Sequence, residues 1–249
     1  MRTNNPVLSK FADTARSTFG LVSPGAMTVA GTAGKAIVLL VVAVFSAAIT
    51  WQQVAGGRPD LIMPAMLVGG LGGFVFALAT SFRPQWAPWT APIYASLEGI
   101  FLGAVSAMYN ARFAGLPQQA VLLTFGVAAG VLVLYRLRLL RATAGFKRMM
   151  MGAVIGIGLF YLGSFLLSLF GVQIGYFTST SMLAIGVNVV IAGVAALNLV
   201  LDFDRIEEGA RMGAPKAMEW FAAFGLMVTL VWLYLELLRL LSRLQGRRD

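Results

Sequence analysis

Seven long apolar stretches fill the chain from about residue 36 to residue 241, and almost no charge interrupts them. About 20 mostly apolar residues in a helix cross the hydrocarbon core of a bilayer. Hydrophobic residues make up 59% of the 249 positions and charged residues 12%, where a soluble domain carries about 25% charged. A water-soluble fold of this length has nowhere to hide so much apolar surface. The expected class is therefore all-α, a polytopic membrane protein built as a seven-transmembrane-helix bundle. Its spans are expected at residues 34–52, 61–82, 91–109, 118–137, 149–170, 181–201 and 217–241. A polar lead, residues 1–34, precedes a transmembrane domain at residues 35–249. No stretch alternates in polarity for long enough to make a membrane barrel, and lipid tolerates little else besides helices.

Connections between the spans carry turn chemistry: Gly56-Gly57-Arg58-Pro59-Asp60, Arg83-Pro84, Gly115-Leu116-Pro117 and Gly213-Ala214-Pro215. Lys35 and the apolar run after it lie too deep in the chain for a secretory signal, and are read as the start of the first retained span. Glycines at Gly69/Gly73, Gly99/Gly103, Gly126/Gly130 and Gly152/Gly156 fit the small-xxx-small spacing that lets helix backbones approach closely. Their recurrence on four spans predicts compact internal packing.

The chain has no His and no Cys. That removes the commonest zinc ligands, disulfides, and Cys/His nucleophilic machinery. The net charge of +9 does not point to nucleic acid, because the basic residues sit beside span ends, where they set topology and meet lipid headgroups. Thirteen of the 19 Lys and Arg fall on the side of the N-terminus, including Arg136, Arg138, Arg141, Lys147 and Arg148, and six on the other. This bias predicts a cytoplasmic N-terminus.

Most of the ten acids belong to the head, loops or tail. The exceptions are Glu98, Asp202, Glu219 and Glu236. An acid at the bilayer centre costs roughly 2.5–3.5 kcal/mol on insertion scales, so each needs a reason to be there. Glu98, just before Gly99 in the third span, suits a proton-responsive or cation-binding group, or an acid that holds helices together. Asp202 closes the sixth span, with Asn198 one turn earlier on the same face and Asn188 farther back. It reads either as a sensor or as a solvated boundary residue helped by Arg205. Glu236 has Arg239 one turn on, which suits a local ion pair, and Glu219 reads as interfacial. Alternating helix directions put Glu98, Asp202 and Glu219 toward one face of the membrane, where they are expected to meet.

The run Glu98-Gly99-Ile100-Phe101-Leu102-Gly103-Ala104-Val105-Ser106-Ala107, the segment Asn198-Leu199-Val200-Leu201-Asp202-Phe203-Asp204 and the tail Leu233-Tyr234-Leu235-Glu236-Leu237-Leu238-Arg239-Leu240-Leu241 resemble the bacterial Bax inhibitor-1 family. The opening Asn5-Pro6-Val7-Leu8-Ser9 resembles that of a bacterial subgroup. The resemblance implies a last helix enclosed by the other six, a bacterial inner (plasma) membrane location, and a pH-sensitive calcium leak. It also implies a pair of acids, one late in the sixth helix and one on the seventh. Asp202 matches the first. Thr229 falls near the second and Glu236 lies farther along, so Glu98 is expected to serve as the partner.

The ion- and proton-sensing set read from the sequence is therefore Asp202, Glu98, Asn198 and Glu236, with the metal ligands left open and no cofactor expected. The expected partners are the lipid bilayer, calcium ions and protons. The alternative is a regulatory protein that binds a membrane protease or another membrane protein without transport, through its polar lead or the basic segment 136–148. Enzymes fit poorly. An intramembrane aspartyl protease needs two aspartates at depth, a zinc protease needs histidines, and a retinal protein needs a buried Schiff-base lysine.

Overall fold

The computed structural model describes residues 25–171 and 181–247. The opening at residues 5–9, most of the polar lead, Arg248 and Asp249 lie outside the described residues. Within them the chain forms seven helices long and apolar enough to cross a membrane: α1 (Val29–Ala55), α2 (Ile62–Phe82), α3 (Ala87–Arg112), α4 (Leu116–Arg136), α5 (Ala144–Leu169), α6 (Met182–Arg211) and α7 (Met218–Gln245). Helix boundaries follow local chemistry more closely than hydropathy. The helix α1 starts five residues before the expected span because Thr28 caps it, accepting from Gly31 N at 2.9 Å. A short 3-10 turn at Pro84–Trp86 leads into α3 ahead of the expected start. The helix α6 runs ten residues past Leu201, to Arg211. At 30 residues it is about 45 Å long, more than the hydrocarbon alone requires.

Three apolar clusters make the core, and α7 contributes to all of them. The first joins Leu39 of α1, Tyr94 of α3 and Phe224 and Met227 of α7. In the second, Val131 of α4 and Leu199 of α6 pack on Leu233 and Leu237. The third sets Val105 of α3 and Leu116 of α4 against Tyr234 and Leu238. The last helix is thus central, as expected. The helix α2 packs chiefly on α3, and α5 chiefly on α6. In α5 only Met150 and Ser164 are buried.

Two of the four glycine pairs make the close contacts their spacing suggests. Gly69 receives the backbone of α3, with Leu97 O at 2.7 Å from where its Cβ would stand. Gly99 and Gly103 face α1, where a methyl group would collide with the carbonyls of Ala43 and Ala47. Gly126, Gly130, Gly152 and Gly156 have open space at that position, so their spacing does not mark a helix seam. A Gly99→Ala change should therefore cost about 1–3 kcal/mol, because the obstacle is backbone that has no rotamer to yield. Gly126→Ala should be neutral or slightly stabilising through helix propensity. Unfolding of both variants in detergent, followed by circular dichroism, separates the two outcomes.

Candidate functional site

The polar side chains inside the bundle fall into three groups at different levels along α7. Nearest the helix start, Glu219 is fully buried. Its carboxylate accepts from Thr28 N at 3.0 Å and Thr28 Oγ1 at 3.1 Å, and it pairs with Lys35 of α1. It thereby occupies the positive end of the α1 dipole. Gly31 lies beneath it, and a Cβ there would force the carboxylate to shift. The Lys35 ammonium also lies 5.5 Å from the ring centre of Trp220. Glu219 is therefore an internal cap, buried against α1 although it stands in the first turn of its span. The available signal was topological: Lys35 and Glu219 each begin an odd-numbered span and so share a depth.

The second group surrounds Asp202. The carboxylate is 5% exposed although nine helical residues follow it, which removes the solvated-boundary reading. Arg205 approaches to 3.8 Å from outside, with 73% of its own side chain exposed. Across the seam, Asn198 Nδ2 donates to Thr229 Oγ1 at 3.1 Å, and that hydroxyl lies beside the Asp202 carboxyl. The other Asp202 oxygen, Oδ2, is buried and has no hydrogen-bond partner among the described residues. Thr229 thus stands across from Asp202, where the resemblance implies a second acid, and it brings a hydroxyl in place of a charge.

The third group lies two turns along α7. Glu236 is 2% exposed and pairs with Arg239 at 3.2 Å. It also accepts from Asn188 Nδ2 of α6 at 2.8 Å and from the Tyr161 hydroxyl of α5, which in turn accepts from Arg239 at 2.8 Å. Arg243 is buried one turn farther on and donates to Ala184 O at 2.7 Å. Between the second and third groups the α6–α7 seam is apolar, filled by Ala192, Ala195, Leu199 and Leu233.

Glu98 belongs to none of these groups. Its Oε2 lies over Gly73 of α2, 3.1 Å from where a Cβ would be, with Tyr94 in the same space. No hydrogen bond or ion pair joins it to Asp202 or Glu219 among the described residues. The cause is helical phase. Gly99 is pressed against α1, and its neighbour one residue back, about 100° round the helix, points toward α2 instead of α6. The expected meeting of three acids is replaced by separate sites. Asn198 does join Asp202, through Thr229. Tyr161 was missed because a tyrosine inside a span reads as apolar.

Among the described residues no three acid, His or Cys side chains gather as a metal cage. The crevice between α1 and α4, about 630 Å³, is lined mainly by apolar side chains, and the Ser106 and Tyr234 hydroxyls on its floor bond to each other at 2.7 Å. Asp202 keeps one buried oxygen without a hydrogen-bond partner among the described residues, and the Thr229 hydroxyl lies beside its carboxyl.

A family model described as Bax inhibitor 1 like matches residues 5–246, nearly the whole chain. The chain belongs to the Bax inhibitor-1-like family. No curated protein and no solved structure matches it. Membership of the Bax inhibitor-1-like family agrees with the seven spans and the central last helix.

The Glu236 network makes a stability test. Arg239→Gln strands a buried carboxylate and should cost on the order of 3 kcal/mol. Adding Glu236→Gln to that variant should recover most of the loss. A double-mutant cycle in detergent unfolding measures the coupling directly.

Proposed function

We propose that the protein is a proton-modulated leak pathway for cations, calcium in particular, with Asp202 as the group that a cation or a proton occupies. The observation that carries this reading is the buried Asp202 oxygen without a hydrogen-bond partner, on a carboxyl that has the Thr229 hydroxyl beside it and Asn198 bonded to that hydroxyl. A carboxylate, a hydroxyl and an amide oxygen are hard donors of the kind calcium takes. They are too few to supply its usual six to eight ligands, so an ion there keeps part of its water. Weak, incomplete coordination suits passage, because a conducting site has to release what it binds.

In this reading the apolar stretch around Leu199 and Leu233 closes the seam beyond the site, and Glu236, already bonded to Arg239, Asn188 and Tyr161, holds the far end together. Protonating Asp202 removes the charge that attracts the cation and loosens its pairing with Arg205. Thr229 and Asn198, and not Glu98, complete the site. Glu98 acts separately, in the α2–α3 seam. The mechanism involves no covalent step and no cofactor. We further place the chain in a bacterial plasma membrane with its N-terminus in the cytoplasm. Supporting this, Arg239 and Arg243, two of the six basic residues on the opposite side, are held inside the bundle, which sharpens the charge bias.

Calcium flux in liposomes across a pH series tests the assignment. Wild-type flux should vary with pH, whereas Asp202→Asn holds the site neutral throughout and should flatten the profile. Glu98→Gln should keep the wild-type pH response. A pH-dependent flux in the Asp202→Asn variant equal to wild type rejects the site. Absence of flux in every variant favours the regulatory partner instead.

A further inference from the structure

The connection between α4 and α5 reads Arg136-Leu137-Arg138-Leu139-Leu140-Arg141-Ala142. It is a held structure. Arg138 adopts φ 59°, a left-handed backbone that residues with side chains seldom take. Leu139 N and Leu140 N both return to Leu134 O, at 3.0 and 3.2 Å, and Arg141 Nε donates to Arg138 O at 2.9 Å. Beneath this loop is a cavity of about 390 Å³, lined by Arg136, Arg138, Arg141, Tyr135, Asp204 and Glu207.

The charges in that cavity do not cancel. Asp204 is taken by Lys147 at 2.6 Å, and Glu207 accepts from the Tyr135 hydroxyl at 2.9 Å. None of the three guanidinium groups pairs with a carboxylate among the described residues. Three like charges around one space favour an anion between them. A guanidinium fork matches a phosphate better than any other common anion except a carboxylate. The leucines alternating with the arginines, Leu137 at 64% and Leu139 at 70% exposure, identify the source of the phosphate. At a span end such side chains enter the acyl region, which sets the cavity at headgroup level.

We propose that the cavity under the α4–α5 connection binds the phosphate of an anionic phospholipid through Arg136, Arg138 and Arg141. The leucines flank its acyl chains. The inference stands on this charge arrangement alone and does not depend on Asp202 conducting an ion.

Native mass spectrometry of the purified full chain, titrated with phosphatidylglycerol or phosphatidylcholine, reads the site as retained lipid. Phosphatidylglycerol should be retained over phosphatidylcholine. Each of Arg136→Gln, Arg138→Gln and Arg141→Gln should lower that retention about fivefold, from the typical attraction of one basic side chain to an anionic surface. Arg141→Lys, which keeps the charge and loses the fork, should fall between wild type and Arg141→Gln. Arg148→Gln, on the same side but outside the cavity lining, should bind like wild type. Single variants with unchanged melting in detergent keep folding out of the comparison. Equal retention of the two lipids, or three variants that all bind like wild type, overturns the proposal. Displacement of phosphatidylglycerol by millimolar inorganic phosphate overturns the lipid assignment in favour of a free-anion site.

Discussion

Lipid gives a carboxylate nothing in return for the water it loses, so an acid carried into the bilayer has to find its donors and its counter-charge on other helices. That constraint organises α7. Glu219 draws on the cap and first turns of α1, and Glu236 draws on α5, α6 and its own next turn. Each satisfied acid is therefore also a fastening between elements far apart in sequence. The apolar clusters fill the space around α7, but they are interchangeable in kind. The polar contacts are specific, and they fix the depth at which α7 sits against its neighbours.

Seen against those two, Asp202 is the exception. It is as deeply buried, yet one of its oxygens has no hydrogen-bond partner among the described residues, and its nearest cation stands mostly in solvent. Half-satisfied polar groups are costly in a low-dielectric interior and are concentrated where function needs them. Within one helix pair, the Glu236 carboxylate is bonded to Arg239, Asn188 and Tyr161, whereas Asp202 keeps an oxygen without a hydrogen-bond partner.

Much of the fold was legible because hydropathy is a property of long windows. Seven spans and their short connections could be read in advance, while the central last helix came only as an implication of the family resemblance. Boundaries were not, since a threonine cap or a proline turn shifts an end without changing the apolar count. The end of α6 is an example. Residues Arg205, Glu207 and Glu208 stop the apolar run but remain good helix formers, so the helix continues past it. The glycine pairs show a second limit. Spacing says that a backbone could approach, and only the fold says whether one does. For the site, Asp202 and Asn198 were readable from their shared face, and Glu236 with Arg239 from theirs. Glu98 was misplaced because its azimuth depends on which neighbour Gly99 meets. Glu219 looked ordinary because first-turn acids are usually wet, and nothing local says that Thr28 will cover it.

The helix α5 differs from its neighbours in how it is attached. Lys147 clasps Asp204 near one end, and Tyr161 reaches the Glu236–Arg239 pair toward the other. Between these points few of its side chains are buried, and its glycines meet no partner backbone. A rod pinned at two electrostatic points behaves unlike one glued along a greasy edge. Its position rests on two polar contacts at its ends, and the long stretch between them is left for lipid to cover.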